Sequence, residues 1–394
     1  MKLFRLEDRT REDFAAHNEQ AKALWADFHA RRHLRVPVRF NTNPRILLLN
    51  PEYNVRNISY EAYMTDPETM WNVQLEWQYW VRYYLPGDHE KGLPDCWTVN
   101  IDFQNFYDAA WFGCPVHYRE RQVPDTLPIL GNGKKYLLFD RGLPEPFEGE
   151  WPQRALRYLE LFKKKSESGA SFLGRPVRFG GYLPFASSDG IFTLAASLRG
   201  ATDLCTDLIT DPDYVRELLK YICEALISRI KAWRHVLGIP EKIDGFGAAD
   251  DAIELISTEA YEEFVLPFHV RYFDALGTDK NRGMHLCGDA QRHFVKIRDV
   301  LGVSQFDTGF PIDFSRLRRD LGPDVLVSGG PAAYNFLQDD TKVIEEETRR
   351  ILRSGILEGG RFILQEGNNL PPCARLQNCE TVYQTALREG RVSS

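Results

Sequence analysis

From about residue 96 to its end, the chain alternates short β-rich runs with longer amphipathic segments. The run RGMHLCG (282–288) is followed by a helical pattern, and the run DVLVSGG is followed by another. Short strands that alternate with helices in this way form βαβ units, whose strands lie parallel in one sheet. About eight strands are predicted when three less regular runs are included, at 97–102, 136–140 and 177–182. That number, at this chain length, favours an α/β fold closed as a (β/α)8 TIM barrel over an open sheet.

The first 95 residues do not follow this alternation. Residues 11–34 and 66–84 each predict a helix, and we interpret the Trp and Tyr residues of the second as core residues. We therefore expect an N-terminal helical extension, or cap, over residues 1–95 and the barrel over residues 96–394. Within the barrel, residues 131–176 predict an insertion that carries an irregular loop.

Charge and cysteine usage exclude several classes of protein. The net charge is −7, with 49 basic and 56 acidic residues and no long basic run, so we expect neither nucleic acid nor a membrane surface as a partner. The seven cysteines include no CxxC pair, a pattern typical of a reducing compartment. The opening MKLFRLEDRTREDF lacks the apolar core of a signal peptide, and no run approaches the roughly 18 apolar residues of a membrane helix. A cytoplasmic location is expected.

His285 and Cys287 lie two positions apart, near the end of the strand predicted at 282–288. Because residues i and i+2 of a strand point to the same face, the imidazole and the thiol should project together. A nitrogen and a thiolate sulfur form a ligand pair that suits zinc. The alternative, a buried cysteine beside a hydrogen-bonded histidine, stays open at this stage.

Polar side chains follow most of the predicted strands. In βα barrels the functional groups lie where strands end and βα loops begin. The candidates at these ends are Asp102 with Asn105, Tyr182, Asp250 with Asp251, His285 with Cys287, Asp307 with Thr308, Gly329 with Gly330, and Glu366 with Asn368 and Asn369. Aspartate and asparagine also cap helices and form turns, so a structural role remains an alternative for each of them.

Four later segments, taken together, resemble the uroporphyrinogen decarboxylase superfamily. They are more similar to its corrinoid-dependent methyltransferase branch than to the haem-pathway decarboxylases. The segments are 190–196 (GIFTLAA) through Asp211 and Pro212, 264–268 (FVLPF), 285–288 (HLCG), and 367–372 (GNNLPP) with Asn378. The resemblance spans about residues 96–391 and implies a (β/α)8 barrel, in agreement with the strand count.

The resemblance also implies a metal site and a departure from it. The methyltransferases hold zinc with their His-x-Cys pair and a cysteine of the last loop, which implies His285 and Cys287 as ligands here. Asn368 stands at the position of that cysteine, and also where the haem-pathway enzymes carry a histidine. Glu366 and Asp307 are candidate oxygen ligands that would complete the site.

The predicted function is methyl transfer between a corrinoid or tetrahydrofolate carrier and a small-molecule thiol or other acceptor. Zinc would activate the thiol, the acids Asp102, Asp250 and Asp251 would act in the pocket as catalytic residues, and the substrate contacts would come from Arg45, Tyr182, Asn368 and Asn369. The expected partners are the small-molecule substrate, a corrinoid carrier protein and, in a homodimer, a second copy of the chain.

Two alternatives remain open. The first is a metal-free decarboxylase for a small carboxylic acid, with Asp102 as its key carboxylate and Arg45 and Arg178 as carboxylate contacts. A tetrapyrrole polycarboxylate is not the expected substrate, because residues 40–45 (FNTNPR) carry one arginine where the haem-pathway enzymes have an arginine-rich segment. The second alternative is a barrel that binds a ligand without turnover.

Overall fold

A computed structural model describes residues 3–131 and 133–392 of the chain. The helices within these ranges are α1 (Ala15–His29), α2 (Arg45–Leu48), α3 (Tyr60–Thr65), α4 (Pro67–Tyr84), α5 (Tyr107–Trp111), α6 (Glu150–Glu167), α7 (Ile191–Arg199), α8 (Ala201–Thr210), α9 (Pro212–Leu237), α10 (Thr258–Ala260), α11 (Leu266–Leu276), α12 (Phe294–Leu301), α13 (Phe314–Leu321), α14 (Thr341–Leu352) and α15 (Leu376–Glu389). The strands are β1 (Trp97–Val99), β2 (Val116–His117), β3 (Asp125–Thr126), β4 (Ser171–Phe172), β5 (Arg175–Phe179), β6 (Gly247–Ala249), β7 (Gly283–Leu286), β8 (Gln305–Thr308), β9 (Leu326–Gly329) and β10 (Phe362–Leu364).

The chain forms two compact units, each built from separate stretches of sequence. Unit 1 comprises Met1–Val99, Lys165–Arg178 and Gln305–Ser394, and unit 2 comprises Asn100–Lys164 and Phe179–Ser304. These units cut across the boundary predicted at residue 95, which stays a prediction. Across the part of the chain that the structure describes, no helix is both long enough and apolar enough to span a bilayer.

Unit 1 contains the parallel strands β8, β9 and β10 in that order, with Gln305 opposite Leu326 and Phe362 opposite Val327. All three residues of β10 are buried, as expected of a strand in a parallel sheet covered on both faces. Val38 adds a parallel bridge to Leu364, supported by the bond from the Leu364 amide to the Pro37 carbonyl at 2.9 Å. The segment around Val38 therefore pairs like a strand, although the sequence analysis assigned it to the helical extension.

The two helices predicted near the N-terminus are present as α1 and α4, both in unit 1. Helix α4 begins where Asp66 accepts hydrogen bonds from the amides of Glu68 and Thr69 and where Pro67 occupies the first turn. Its aromatic residues Trp71, Tyr79 and Trp80 are buried, which confirms that they belong to the core.

Unit 2 contains the parallel pair β6 and β7, in which Ala249 lies opposite His285. After β6 the chain forms a 3-10 turn over Asp251–Leu255, and Ser257 then caps α10 by accepting a bond from the Ala260 amide at 3.2 Å. A π-helical turn, Tyr261–Val265, connects α10 to α11 just before Pro267. Proline has no amide hydrogen to donate to the preceding turn, and the wider π turn accommodates this without ending the helix.

The structure differs from the predicted elements in three details. Residues 136–140 do not form a strand, since this apolar run ends in a 3-10 turn at Phe139–Arg141. The insertion at 131–176 contains the 18-residue helix α6 besides its irregular part. The run KIDGFG (242–247), which continues into Ala248 and Ala249, has the pattern of a strand. The strand begins only at Gly247, and Ile243 contributes a single bridge to Gly277.

Candidate metal centre

Three potential metal ligands meet at the carboxyl ends of β6 and β7 in unit 2. The Nε2 atom of His285 lies 3.0 Å from the Cys287 sulfur and 3.9 Å from an oxygen of Asp251. All three donor atoms lie within 4.8 Å of one another. Leu286, the last residue of β7, points into the core, while His285 before it and Cys287 after it are half-buried on the other face. Their projection to one face, expected from the period of a strand, is confirmed.

These separations fit the coordination sphere of a tetrahedral ion. Zinc bonds of about 2.0–2.3 Å at tetrahedral angles place neighbouring donor atoms roughly 3.3–3.6 Å apart. The distances of 3.0 and 3.9 Å bracket that range, so small side-chain adjustments would satisfy the geometry. Nitrogen, sulfur and one carboxylate oxygen form a donor set that is acceptable for zinc, and three protein ligands leave a fourth position open.

The same geometry argues against a nucleophilic triad. In a Cys–His–Asp relay, the carboxylate contacts the ring nitrogen opposite the one that faces the nucleophile. Here the sulfur and the carboxylate oxygen both face Nε2 of His285. The donor atoms therefore converge on one point, as the coordination of a cation requires. They do not form the linear series of contacts that a relay requires.

The protein surroundings do not ionise Cys287 by themselves. Burial raises the pKa of its thiol above the ordinary value, and the hydrogen bond with His285 opposes that rise. A bound cation would stabilise the thiolate directly. Asp251 also fixes the backbone at this point, since its Oδ1 accepts a hydrogen bond from the Cys287 amide at 2.7 Å. Asp251 thus contributes to the site as a ligand candidate, a role that the sequence analysis did not give it.

Asp250 has a different environment from Asp251 although the two are adjacent. Its side chain is fully buried, and it accepts bonds from the amides of Phe192 and Thr193 at 2.9 and 2.6 Å. The Thr193 hydroxyl at 2.8 Å and Nε2 of His269 at 2.8 Å complete its partners. This carboxylate therefore anchors the start of α7. The catalytic role of Asp250 stays a prediction.

Asp102 and Tyr182, predicted as catalytic and substrate-binding residues, also belong to unit 2. Asp102 accepts hydrogen bonds from the backbone amide of Gln104 at 2.8 Å and from its side-chain amide at 2.7 Å. Tyr182 is 52% exposed, and its hydroxyl lies 3.3 Å from that of Ser187. The Ser187 hydroxyl is also 3.4 Å from the hydroxyl of Tyr107. The sequence did not indicate that Tyr107 joins Tyr182 and Ser187, because it lies 80 residues before Ser187 in the chain.

The remaining predicted site residues belong to unit 1. Glu366 is fully buried, and both of its oxygens lie within hydrogen-bonding distance of the Asn41 amide, at 3.0 and 3.2 Å. Burial raises the pKa of Glu366 well above its ordinary value. Asp307 accepts a hydrogen bond from the side-chain amide of Gln365. The role of Glu366 and Asp307 as metal ligands stays a prediction.

The predicted substrate contacts of unit 1 lie in loops and at one helix start. Asn368 has a positive φ of 83° and donates its amide to the Thr308 carbonyl at 3.2 Å. The Asn369 side chain donates to the Asn368 side-chain oxygen at 3.2 Å. Arg45 begins α2, with its amide bonded to the Asn43 side chain at 3.0 Å. The contacts of these residues with a substrate remain predictions.

Comparison with known protein families shows to which family the chain belongs. The family model described as uroporphyrinogen decarboxylase (URO-D) matches residues 184–388, just over half of the sequence. The chain belongs to the uroporphyrinogen decarboxylase family. The matched region contains Asp251, His285 and Cys287, together with Asn368 and Asn378 of the last loop and helix.

A solved structure supports the fold of this uroporphyrinogen decarboxylase family member. A methyltransferase from Methanosarcina mazei is 16% identical, with a TM-score of 0.61 over 93% of this chain and 98% of that one. Family membership and this structural similarity confirm the predicted (β/α)8 barrel fold.

Two further comparisons give no information on the fold or function of this chain. A B12-independent methionine synthase from Shewanella sp. W3-18-1, in complex with selenomethionine, is 12% identical over 59% of this chain and 65% of that one, with a TM-score of 0.34. That similarity is too low to support a conclusion. No curated protein sequence matches the chain.

Proposed function

We propose that this chain is a zinc-dependent methyltransferase acting on a small-molecule thiol or similar acceptor. The methyl group would move between that acceptor and a corrinoid, carried on a separate small protein, or a tetrahydrofolate. The observation that carries the proposal is the convergence of the His285, Cys287 and Asp251 donor atoms at the ends of two adjoining parallel strands. Membership of the uroporphyrinogen decarboxylase family and the resemblance of the segment 285–288 to the methyltransferases support it.

Asn368 stands where the methyltransferases carry their third zinc ligand, and in this proposal Asp251 supplies that ligand. A His-Cys-Cys site and a His-Cys-Asp site both supply two negative charges, which balance the two positive charges of zinc. Asp251 therefore replaces the second thiolate without changing the net charge of the centre. Its carboxylate is a harder donor than sulfur and gives less charge to the ion, so a thiol in the fourth position would be polarised more strongly.

Each residue of the chain has a separate task in this proposal. Zinc, when bound, lowers the pKa of a coordinated thiol and so supplies a thiolate nucleophile near neutral pH. His285 in β7 and Cys287 directly after that strand would hold the ion with a nitrogen and a sulfur that lie 3.0 Å apart. Asp251 accepts the Cys287 amide and keeps the sulfur beside Nε2 of His285. Asp102 and Tyr182 would contact the acceptor.

The proposal is tested by a methyl-transfer assay on purified, zinc-loaded protein. Methylcobalamin and a panel of small thiols are mixed with the protein, and demethylation of the corrinoid is followed by absorbance; methyltetrahydrofolate is the second donor. We expect Cys287→Ser and His285→Ala to lower the rate by more than about 100-fold, the upper range for residues that only support metal ligands. Cys205→Ser, which changes the same atom of a half-buried cysteine in α8, is the matched control.

The outcome also separates the proposal from its alternatives. Full activity in protein stripped of metal, or in Cys287→Ser, would overturn the zinc mechanism. Carbon dioxide release from a small carboxylic acid without metal would identify the chain as a lyase. Saturable binding of thiols with no turnover would identify a ligand-binding barrel.

A further inference from the structure

Two carboxylates of one short turn hold the backbone that follows β7. The turn Asp251–Leu255 is a 3-10 turn, in which residues three apart lie on the same side. Asp251 accepts the Cys287 amide at 2.7 Å, and Glu254 accepts the Asp289 amide at 3.0 Å. The two bonded amides are two residues apart and lie on either side of Gly288.

Gly288, between the two bonded amides, lets the Glu254 carboxylate lie directly against the backbone. Gly288 has a φ of +67°, a conformation that L side chains rarely adopt. A β-carbon at this position would lie 1.6 Å from Oε2 of Glu254 and 2.3 Å from its Cδ. The carboxylate therefore occupies the space that any side chain at position 288 would need.

Side chains that follow this loop return bonds to the turn. Arg292 donates to the carbonyl of Ile256 at 2.8 Å, and it also bonds the carbonyls of Glu254 and Asp289. Nε2 of His293, whose side chain is fully buried, lies 3.0 Å from the Ile253 carbonyl. Segments 251–256 and 287–293 are thus bonded in both directions, and we refer to them together as the clasp.

The geometry points to Glu254 as a positioning residue for the metal ligand Cys287. Within the clasp, Asp251 bonds on one side of Gly288 and Glu254 on the other, so the backbone that carries the thiol is held in place beside His285. Asp251 has two tasks, since it is also a ligand candidate, whereas Glu254 bonds only backbone beyond Cys287. The inference rests on the proposed metal centre and adds to it a residue that is not a ligand. Glu254 acts by accepting a backbone hydrogen bond, so an uncharged side chain of the same length that can accept this bond should fulfil the same role.

The test compares three variants by cobalt titration of the metal-free protein. Cobalt(II) is the probe because its sulfur-to-metal absorption band reports thiolate coordination. Glu254→Ala should weaken cobalt binding by about 10–100-fold, the range for residues that orient a ligand, and should reduce the band at saturation. Glu254→Gln keeps an oxygen at the same distance and should bind as the wild type does. Gly288→Ala should resemble Glu254→Ala because its methyl group displaces the carboxylate.

A matched control and a second readout keep this test decisive. Glu262→Ala removes a neighbouring exposed acid, paired with Lys296 at 3.0 Å, and should leave cobalt binding unchanged. In metal-free protein, alkylation of Cys287, followed by peptide mass spectrometry, should become several-fold faster in Glu254→Ala but not in Glu254→Gln. A merely structural role would lower thermal stability and leave both readouts unchanged.

Failure of this inference is distinguishable from failure of the proposed function. If the wild type binds no cobalt or zinc, the metal centre is wrong, and the alkylation rates alone decide the role of Glu254. If the wild type binds cobalt and Glu254→Ala binds it equally well with an unchanged band, Glu254 is not a positioning residue. Equal losses in Glu254→Gln and Glu254→Ala would also overturn the inference, because they would show that the charge matters and not the backbone contact.

Discussion

Replacing Asp250 by alanine should destabilise the fold strongly, whereas the same change at its neighbour Asp251 should have a much smaller effect. The Asp250 carboxylate accepts four hydrogen bonds, from the amides of Phe192 and Thr193, the Thr193 hydroxyl and the His269 ring. The side chain of Asp250 is fully buried, so its removal leaves these donors without a partner in the interior. Two of them are amides of the first turn of α7, which then loses its cap.

The size of the loss follows from these four bonds. Each donor left unsatisfied in a buried site costs about 1–3 kcal/mol, but neighbouring losses do not add fully. We therefore expect a loss of about 3–5 kcal/mol, near the upper end for single substitutions. At about 2.1 cal/mol/K per residue, the unfolding entropy of a chain of this length is roughly 0.8 kcal/mol/K. The corresponding fall in melting temperature is roughly 4–6 °C.

The assay is thermal unfolding of metal-free protein, so that metal binding does not add to the stability of either variant. Asp251→Ala is the control because its side chain is partly exposed and gives up one amide bond, to Cys287. It should lower the melting temperature by roughly 1 °C, which corresponds to about 1 kcal/mol. Cobalt affinity should fall much more in Asp251→Ala than in Asp250→Ala. An equal fall in stability for both variants, or a larger one for Asp251→Ala, would refute the assignment of structural and ligand roles.

Three further predictions follow from buried polar groups. Glu366 has a pKa raised by burial, so the stability that its neutral form contributes is complete below the pKa of the unfolded chain and is lost as pH rises toward the folded value. The unfolding free energy of Glu366→Gln, relative to that of the wild type, should therefore increase as the pH rises above about 4.3, the pKa of a glutamate in the unfolded chain, as measured by urea unfolding. Arg229→Met should cost about 3–5 kcal/mol in urea unfolding, since it leaves the buried Asp108 carboxylate, 2.6 Å from the guanidinium, without its cation; adding Asp108→Asn should restore part of the loss. Asn378 donates its side-chain amide to the carbonyls of Asn335, Phe336 and Gln338, so Asn378→Ala should cost about 1–3 kcal/mol, and Asn378→Asp should melt lower still because a carboxylate would face those carbonyls.

The sequence predicted the His285 and Cys287 pair correctly because a two-residue period is a local property of any strand. It could not show which of Asp250 and Asp251 is buried. Neighbouring side chains at the end of a strand face opposite ways, so their directions can be assigned only when the last residue of the strand is known. The strand was expected at 242–247 but lies at Gly247–Ala249, and so the buried and the exposed acid could not be distinguished.

Other parts of the fold depend on contacts distant in sequence. The segment around Val38 pairs with Leu364, yet Pro37 in it argues against a strand when only local patterns are considered. Residues 136–140 show the opposite case, an apolar run that forms turns because no neighbouring strand pairs with it among the described residues. The sequence did not indicate a role for Glu254, because exposed acidic residues in loops are common. Its partner Gly288 gave a weak signal, since a glycine after a strand often marks close approach of other atoms.

The central claim is that His285, Cys287 and Asp251 hold one zinc ion. The most direct test is metal analysis of the purified protein, combined with X-ray absorption at the zinc edge. We predict one zinc per chain with a single sulfur neighbour at about 2.3 Å and nitrogen and oxygen neighbours at about 2.0–2.1 Å. In Cys287→Ser the sulfur signal should disappear, and in Cys205→Ser it should remain. Protein that binds no zinc when it is supplied, or zinc whose sulfur neighbour survives in Cys287→Ser, would contradict the account.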